Sequence, residues 1–162
     1  MHIYLLRHGD ALDNGYTDAE RPLSRLGEEQ AHRVADFLAQ SNIYPRVVFT
    51  SPLVRARQMA TIVCTQLRLP PPETSEYLVP ESNERHMISQ LNMLAPASAL
   101  LVGHEPQLRS LISAVIQERQ FGAVVLPKAA LASVEVEHPI ERGKGVLGWV
   151  RVLERGERES GD

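Results

Sequence analysis

An apolar segment at the start of the chain runs directly into three residues with strong chemical character. Ile3-Tyr4-Leu5-Leu6 is followed without a spacer by Arg7-His8-Gly9. A short apolar run of this kind is typical of a buried β-strand. Burying Arg7 and His8 within a sheet is costly unless each finds partners, so we expect both just beyond the strand's carboxyl end. Ligands bind at that edge of open α/β sheets, which predicts a site that holds an anion with Arg7 and uses His8 for chemistry.

Two further strand ends are followed by polar residues. Residues 46–50 are predicted to form a strand from their β-branched and aromatic content, and Ser51-Pro52 predicts a helix start with Arg55 one turn in. Residues 99–103 form another apolar run that ends at His104, and Pro106 is predicted to open the next helix. Alternating strands and helices indicate a largely parallel sheet, whose strand ends share one edge. Two imidazoles and at least two guanidiniums are therefore expected to converge on one pocket.

The remaining segments complete the predicted fold. Ser24 is a predicted N-cap, residues 77–79 a predicted short strand, and residues 130–137 and 146–153 a predicted β-hairpin at a sheet edge. We predict one α/β domain over residues 1–154, followed by a polar C-terminal tail at residues 155–162. Its architecture is expected to be a three-layer sandwich, with a mostly parallel central sheet, helices on both faces and a C-terminal β-hairpin.

Composition excludes several classes of function. The net charge of −3 disfavours broad nucleic-acid binding, which requires a basic surface. No apolar run approaches the ~20 residues needed to span a bilayer, and no signal peptide is recognisable. The single cysteine, Cys64, fits a reducing compartment, so we expect a cytoplasmic protein without a membrane partner. No metal-binding spacing occurs, so no metal or other cofactor is expected.

The converging residue types suit phosphoryl chemistry. Arginine offers a planar fork of donors that matches phosphate oxygens, and a neutral imidazole can attack phosphorus to give a covalent intermediate. Most catalysis of phosphoryl transfer consists of positioning and charge stabilisation.

The same residues resemble the histidine phosphatase superfamily, whose fold is phosphoglycerate mutase-like. The resemblance covers about residues 1–150 and rests on four motifs in order, namely Arg7-His8-Gly9, Arg21–Ser24 with Gly27, Ser51-Pro52 with Arg55-Ala56 and Gln58, and Gly103-His104. Within the superfamily, the short chain and the Arg-His-Gly-Asp opening most resemble SixA-like phosphohistidine phosphatases.

This resemblance implies a role for each matching residue. His8 would be the nucleophile that becomes phosphorylated. Arg7, Arg55 and His104 would hold the phosphoryl oxygens, with Arg21 joining them, and His104 would also stabilise the transition state. The arginines would neutralise charge without a metal.

The sequence departs from larger family members at the general acid. Glu84 and, less strongly, Glu81 are the candidate acids. Protonation of a sugar alkoxide is typically worth 10²–10⁴-fold in rate, whereas a phosphohistidine imidazole takes up protons near pH 7 and needs less help. A phosphorylated protein, such as the phosphotransfer domain of a signalling protein, is therefore the favoured substrate. Two alternatives stay open: a phosphatase or phosphomutase acting on small phosphate esters of sugars or nucleotides, and a non-catalytic phosphate-binding module.

Overall fold

A computed structural model of the chain describes residues 1–116 and 124–153. Within these residues, six strands and four α-helices alternate. The strands are β1 (His2–Arg7), β2 (Val47–Thr50), β3 (Glu73–Thr74), β4 (Ser98–Gly103), β5 (Leu131–Glu135) and β6 (Val146–Arg151). The α-helices are α1 (Arg25–Gln40), α2 (Val54–Leu67), α3 (Glu84–Leu94) and α4 (Gln107–Val115), and two short 3₁₀ helices span Asp18–Glu20 and Glu76–Leu78. The predicted tail at residues 155–162 lies outside the described residues.

The six strands form one sheet in the order β3-β2-β4-β1-β5-β6. Strands β3, β2, β4 and β1 run parallel, and β5 and β6 add an antiparallel pair at the other side. Leu5 of β1 faces Leu101 of β4 on one side and Ala132 of β5 on the other. The predicted mostly parallel sheet and the C-terminal hairpin are confirmed, and β1 lies in the interior of the sheet.

Helices cover both faces of the sheet, as predicted. Helices α1 and α2 bury Val34, Leu38, Met59 and Val63 on one face, and α3 and α4 bury Met87, Leu91, Leu108 and Ile112 on the other. Each fully buried side chain of this size contributes about 1.5–3 kcal/mol of hydrophobic free energy. None of the α-helices in the described part of the chain has the length and apolar character required for a membrane span.

Two local predictions were wrong. Residues 77–79 do not form a strand, because the Ser75 side chain accepts a hydrogen bond from the Tyr77 amide and starts a 3₁₀ turn, while the strand lies earlier, at Glu73–Thr74. Helix α2 begins at Val54 and not at Pro52. The Ser51 hydroxyl accepts from the Leu53 amide at 3.2 Å and also contacts His104, so it does not cap the helix in the predicted way.

Candidate active site

His8 lies where β1 leaves the sheet, and its backbone is held from both sides. The His8 amide donates to the Gly103 carbonyl at 3.0 Å, and the Ala129 amide donates to the His8 carbonyl at 3.1 Å. Gly9 follows in a crowded position, because a Cβ there would lie 2.7 Å from Gln30 Oε1 and 3.1 Å from the Gly27 Cα. The backbone around His8 therefore has little freedom to move.

The hydrogen bonds of the His8 ring define its tautomer. Nδ1 lies 2.7 Å from the Gly9 carbonyl oxygen, which can only accept, so Nδ1 carries the hydrogen. Arg55 Nε donates to His8 Nε2 at 3.3 Å, so Nε2 presents its lone pair. The pKa of His8 is lowered to about 4, mainly by burial. The charges of Arg55, Arg7 and Arg21 also lower this pKa, whereas the hydrogen bond to Gly9 raises it. At neutral pH the ring is therefore an uncharged base with a defined nucleophilic nitrogen.

His104 follows β4 and lies beside His8. Their ring centroids are 5.0 Å apart, and His104 is 2% exposed. The Ser51 hydroxyl lies 2.8 Å from His104 Nε2, while Nδ1 is buried and has no hydrogen-bond partner among the described residues. Burial lowers the pKa of His104 to about 3, and the neighbouring His8 and the arginines add to this effect.

Arg55 is the guanidinium that contacts His8 directly. It comes from the first turn of α2, and its side chain is 4% exposed. Nη1 donates to the Asp18 carbonyl at 2.6 Å, and Nη2 lies 3.5 Å from Asp18 Oδ2. Burial lowers the pKa of Arg55, but the nearby Asp18 opposes this shift. Arginine remains protonated in proteins, so this group supplies a buried positive charge.

Arg7 and Arg21 complete the cationic side of the pocket. Arg7 Nη1 donates to the Leu126 carbonyl at 2.9 Å, while Arg7 Nε is buried and lacks a hydrogen-bond partner among the described residues. Arg21 pairs with Asp13 at 2.5 Å and with Asp18 at 3.3 Å. The charges of Arg7, Arg21 and Arg55 all lower the pKa values of both histidines. The structure thus brings all five residues of the predicted phosphate site into one region.

The two candidate general acids are placed differently. Glu84 lies in the first turn of α3, and its carboxylate pairs with Arg142 at 2.8 Å. Glu81 is exposed. Within residues 1–116 and 124–153, neither carboxylate forms a hydrogen bond or ion pair with His8, His104 or the three arginines.

Three polar neighbours of the site were not singled out as site residues by the sequence analysis. Ser51 contacts His104, and Asp18 contacts Arg55 and Arg21. Glu105 follows His104, and both of its carboxylate oxygens are buried; burial raises its pKa while Arg109 and Arg7 oppose the shift. Glu105 could have been predicted near the site, because it directly follows His104 in the sequence. Asp18 could not, because it lies in a loop whose sequence has no periodic pattern. In the described part of the chain, no cluster of three or more His, Cys, Asp or Glu side chains suits a metal ion.

Comparisons with known proteins identify the family of this chain. The family model of the histidine phosphatase superfamily (branch 1) matches residues 3–79. The chain is 36% identical over 113 residues to an uncharacterized protein of Picosynechococcus, covering 67% of this chain and 68% of the relative. It is 28% identical over 153 residues to the phosphohistidine phosphatase SixA of Escherichia coli, covering 92% of each chain.

Solved structures give the same picture. A structure of the protein histidine phosphatase SixA complexed with tungstate superposes with a TM-score of 0.84 and 27% identity, covering 93% of this chain and 96% of that one. The alpha-ribazole phosphatase of Shigella flexneri superposes with a TM-score of 0.72 at 19% identity, covering 94% and 96% of the two chains, which shows a shared fold.

Proposed function

Because this chain belongs to the histidine phosphatase superfamily, we propose that it is a phosphatase that passes a phosphoryl group through His8. The observation that carries the proposal is the state of His8. Its Nε2 is unprotonated and contacts Arg55, and its Nδ1–H is fixed by the Gly9 carbonyl. A nucleophile toward phosphorus needs an unprotonated nitrogen beside groups that attract the phosphoryl oxygens. His8 Nε2 is such a nitrogen, and we propose that its hydrogen bond from Arg55 Nε gives way to phosphorus when the substrate binds.

The surrounding cations provide the charge stabilisation. Arg55, Arg7 and Arg21 surround the two imidazoles with three guanidiniums, which suit the oxygens of a phosphoryl group. The neutral ring of His104 adds a buried nitrogen, Nδ1, that has no hydrogen-bond partner among the described residues. The tungstate ion in the related SixA structure is a tetrahedral oxyanion, which supports an oxyanion site in this fold. We propose that these groups perform the role that a metal ion plays in other phosphatases.

The phosphoryl transfer proceeds in two steps. His8 Nε2 bonds to phosphorus as the bond from phosphorus to the substrate's leaving atom breaks, and that atom leaves with its electron pair. If the leaving atom belongs to a protonated phosphohistidine ring, the ring departs as neutral imidazole without further proton transfer. Water then bonds to phosphorus, the electron pair of the N–P bond returns to His8 Nε2, and dihydrogen phosphate is released. Throughout both steps, the Nδ1–H of His8 keeps its hydrogen bond to the Gly9 carbonyl oxygen.

Phosphohistidine is the proposed substrate. Within the described residues neither Glu84 nor Glu81 bonds to the site groups, and the Glu84 carboxylate is paired with Arg142 instead. Expulsion of imidazole does not require a general acid. Similarity over 92% of the chain to the phosphohistidine phosphatase SixA supports this substrate class. We propose that the substrate is a phosphohistidine on a cytoplasmic signalling protein, such as a phosphotransfer domain.

A trapping experiment tests the proposal. The protein is mixed with a phosphotransfer domain labelled with radioactive phosphate on histidine, quenched in detergent and alkali, and separated by size. We expect acid-labile, alkali-stable label on the wild type and on His32→Ala, and none on His8→Ala. His32 is the matched control because it is exposed on α1.

The trapping experiment and a turnover panel of sugar and nucleotide phosphates together separate the alternatives. Label that persists in His8→Ala would overturn the assigned nucleophile. Faster turnover of sugar or nucleotide phosphates than of phosphohistidine, lost in Glu84→Gln, would favour a small-molecule phosphatase. Binding of the phosphorylated domain without label or phosphate release would favour a non-catalytic binding module.

A further inference from the structure

The Asp18 carboxylate bridges two arginines of the proposed phosphate site. Oδ1 accepts from Arg21 Nε at 3.3 Å, and Oδ2 lies 3.5 Å from Arg55 Nη2. Arg55 reaches His8 with its Nε at the same time. The carboxylate is therefore separated from the attacking nitrogen by the width of one guanidinium group.

The loop that carries Asp18 is closed at its base. Ala11 and Leu23 form an antiparallel bridge, and the Leu12 amide donates to the Pro22 carbonyl at 2.9 Å. Asp18 itself opens the 3₁₀ helix near the far end of the loop. Its carbonyl accepts from Arg55 Nη1 at 2.6 Å, so the backbone and the carboxylate of Asp18 contact Arg55 separately. A change of the side chain can remove the negative charge while this backbone hydrogen bond stays.

The charge of Asp18 opposes the binding of a phosphate dianion. The carboxylate offsets part of the positive charge of Arg55 and Arg21, and its side chain is 69% exposed, so it is also open to solvent. Like charges within a few ångströms disfavour each other even where water screens them. A free phosphate or a phosphate monoester carries its two negative charges uncompensated. A phosphoryl group on a protonated imidazole carries a positive charge on its leaving group.

We propose that Asp18 is a specificity-determining residue that favours phosphoryl groups bonded to a cationic nitrogen over phosphate monoesters and inorganic phosphate. This role rests on the proposed function, because it acts on the same reaction at His8. In an in-line displacement the leaving nitrogen lies across the phosphorus from His8. A negative, solvent-exposed side chain beside the two arginines attracts that protonated ring and repels inorganic phosphate, which also favours product release.

The test compares Asp18→Asn with the wild type on matched probes. Free phosphohistidine and O-phosphoserine serve as substrates, and inorganic phosphate is titrated as a ligand by calorimetry. Glu20→Gln is the control, since it removes the same charge from an exposed position in the same loop, where the side chain forms no hydrogen bond or ion pair with other described residues. Both variants are checked for an unchanged circular dichroism spectrum.

We expect Asp18→Asn to bind inorganic phosphate and O-phosphoserine about three- to tenfold more tightly, as one screened charge contact predicts. The kcat/KM for phosphohistidine is expected to be unchanged or lower, so the preference for phosphohistidine over O-phosphoserine falls by at least about threefold. Glu20→Gln is expected to stay within about twofold of the wild type in every measurement.

Three results would overturn the proposal, and they are distinguishable from one another. If the wild type hydrolyses phosphohistidine and the preference is unchanged in Asp18→Asn, only the role of Asp18 fails. If Asp18→Asn weakens phosphate binding, Asp18 orients the arginines and does not select charge. A wild type that does not hydrolyse phosphohistidine at all would remove the proposed function together with this role.

Discussion

The two buried imidazoles predict a measurable acid sensitivity of the folded protein. His8 and His104 are 6% and 2% exposed, and burial is the main cause that lowers their pKa values from 6.5 to about 4 and about 3. In the unfolded chain both rings return to ordinary values and take up protons as the pH falls below about 6.5. The unfolded state therefore binds more protons in this range, and the free energy of unfolding decreases as the pH falls.

The size of the effect follows from the pKa difference. For a ring that titrates near 6.5 unfolded and near 4 folded, the loss between about pH 7 and about pH 5 is roughly 2 kcal/mol. His104 adds a similar amount over the same interval, because its folded pKa lies lower still. This loss of unfolding free energy is negligible above about pH 7. It stops growing once the pH falls below the pKa values of the two histidines in the folded protein.

Urea unfolding at about pH 7 and about pH 5 measures this loss, with the fluorescence of Trp149 as the probe. Trp149 is the one tryptophan of the chain and contacts Phe37 and Tyr4. We expect the acid-induced loss to be about 2 kcal/mol smaller in His104→Gln than in the wild type, and unchanged in the exposed control His32→Gln. Equal losses in all three proteins would refute the conclusion that His104 is held neutral.

Other parts of the structure give further expectations. The acid limb of kcat/KM, measured with a substrate whose own titration is known, should lie near pH 4 and not near 6.5, because His8 stays neutral to about that value. Gly27→Ala should lower the free energy of unfolding by about 1–3 kcal/mol in urea titrations, because a Cβ there would lie 2.1 Å from the Asp10 carbonyl oxygen. Cys64 should react with iodoacetamide only after unfolding, because the thiol is buried and burial raises its pKa to about 11.

The sequence predicted the parts of the molecule that depend on local pattern. The apolar run before Arg7 and the run before His104 are strands β1 and β4, and they are direct neighbours in the sheet. Their parallel pairing explains why two histidines about a hundred positions apart meet with ring centroids 5.0 Å apart. Helices bury β1 and β4 on both faces of the sheet, and the two strands run in the same direction. The residues that follow both strands therefore lie at the same edge of the sheet.

The missed features depend on contacts between distant segments. Ser51-Pro52 has the local pattern of a helix start, but the Ser51 hydroxyl contacts His104, which lies on another strand. The contacts of Asp18 with Arg55 arise because the loop after β1 folds back over the start of α2. Neither contact leaves a periodic signal in the sequence, so propensity alone could not reveal it.

The interior position of β1 has a consequence for how the two partners of a reaction meet. The His8 amide donates to the Gly103 carbonyl and the His8 carbonyl accepts from the Ala129 amide, so the backbone that carries the attacking nitrogen is nearly immobile. The His8 ring therefore does not move toward a phosphorylated ring. The approach, the rotation and the loss of conformational freedom must then fall on the incoming side chain, and a partner that displays its phosphorylated residue on an accessible helix surface would lose the least entropy in doing so.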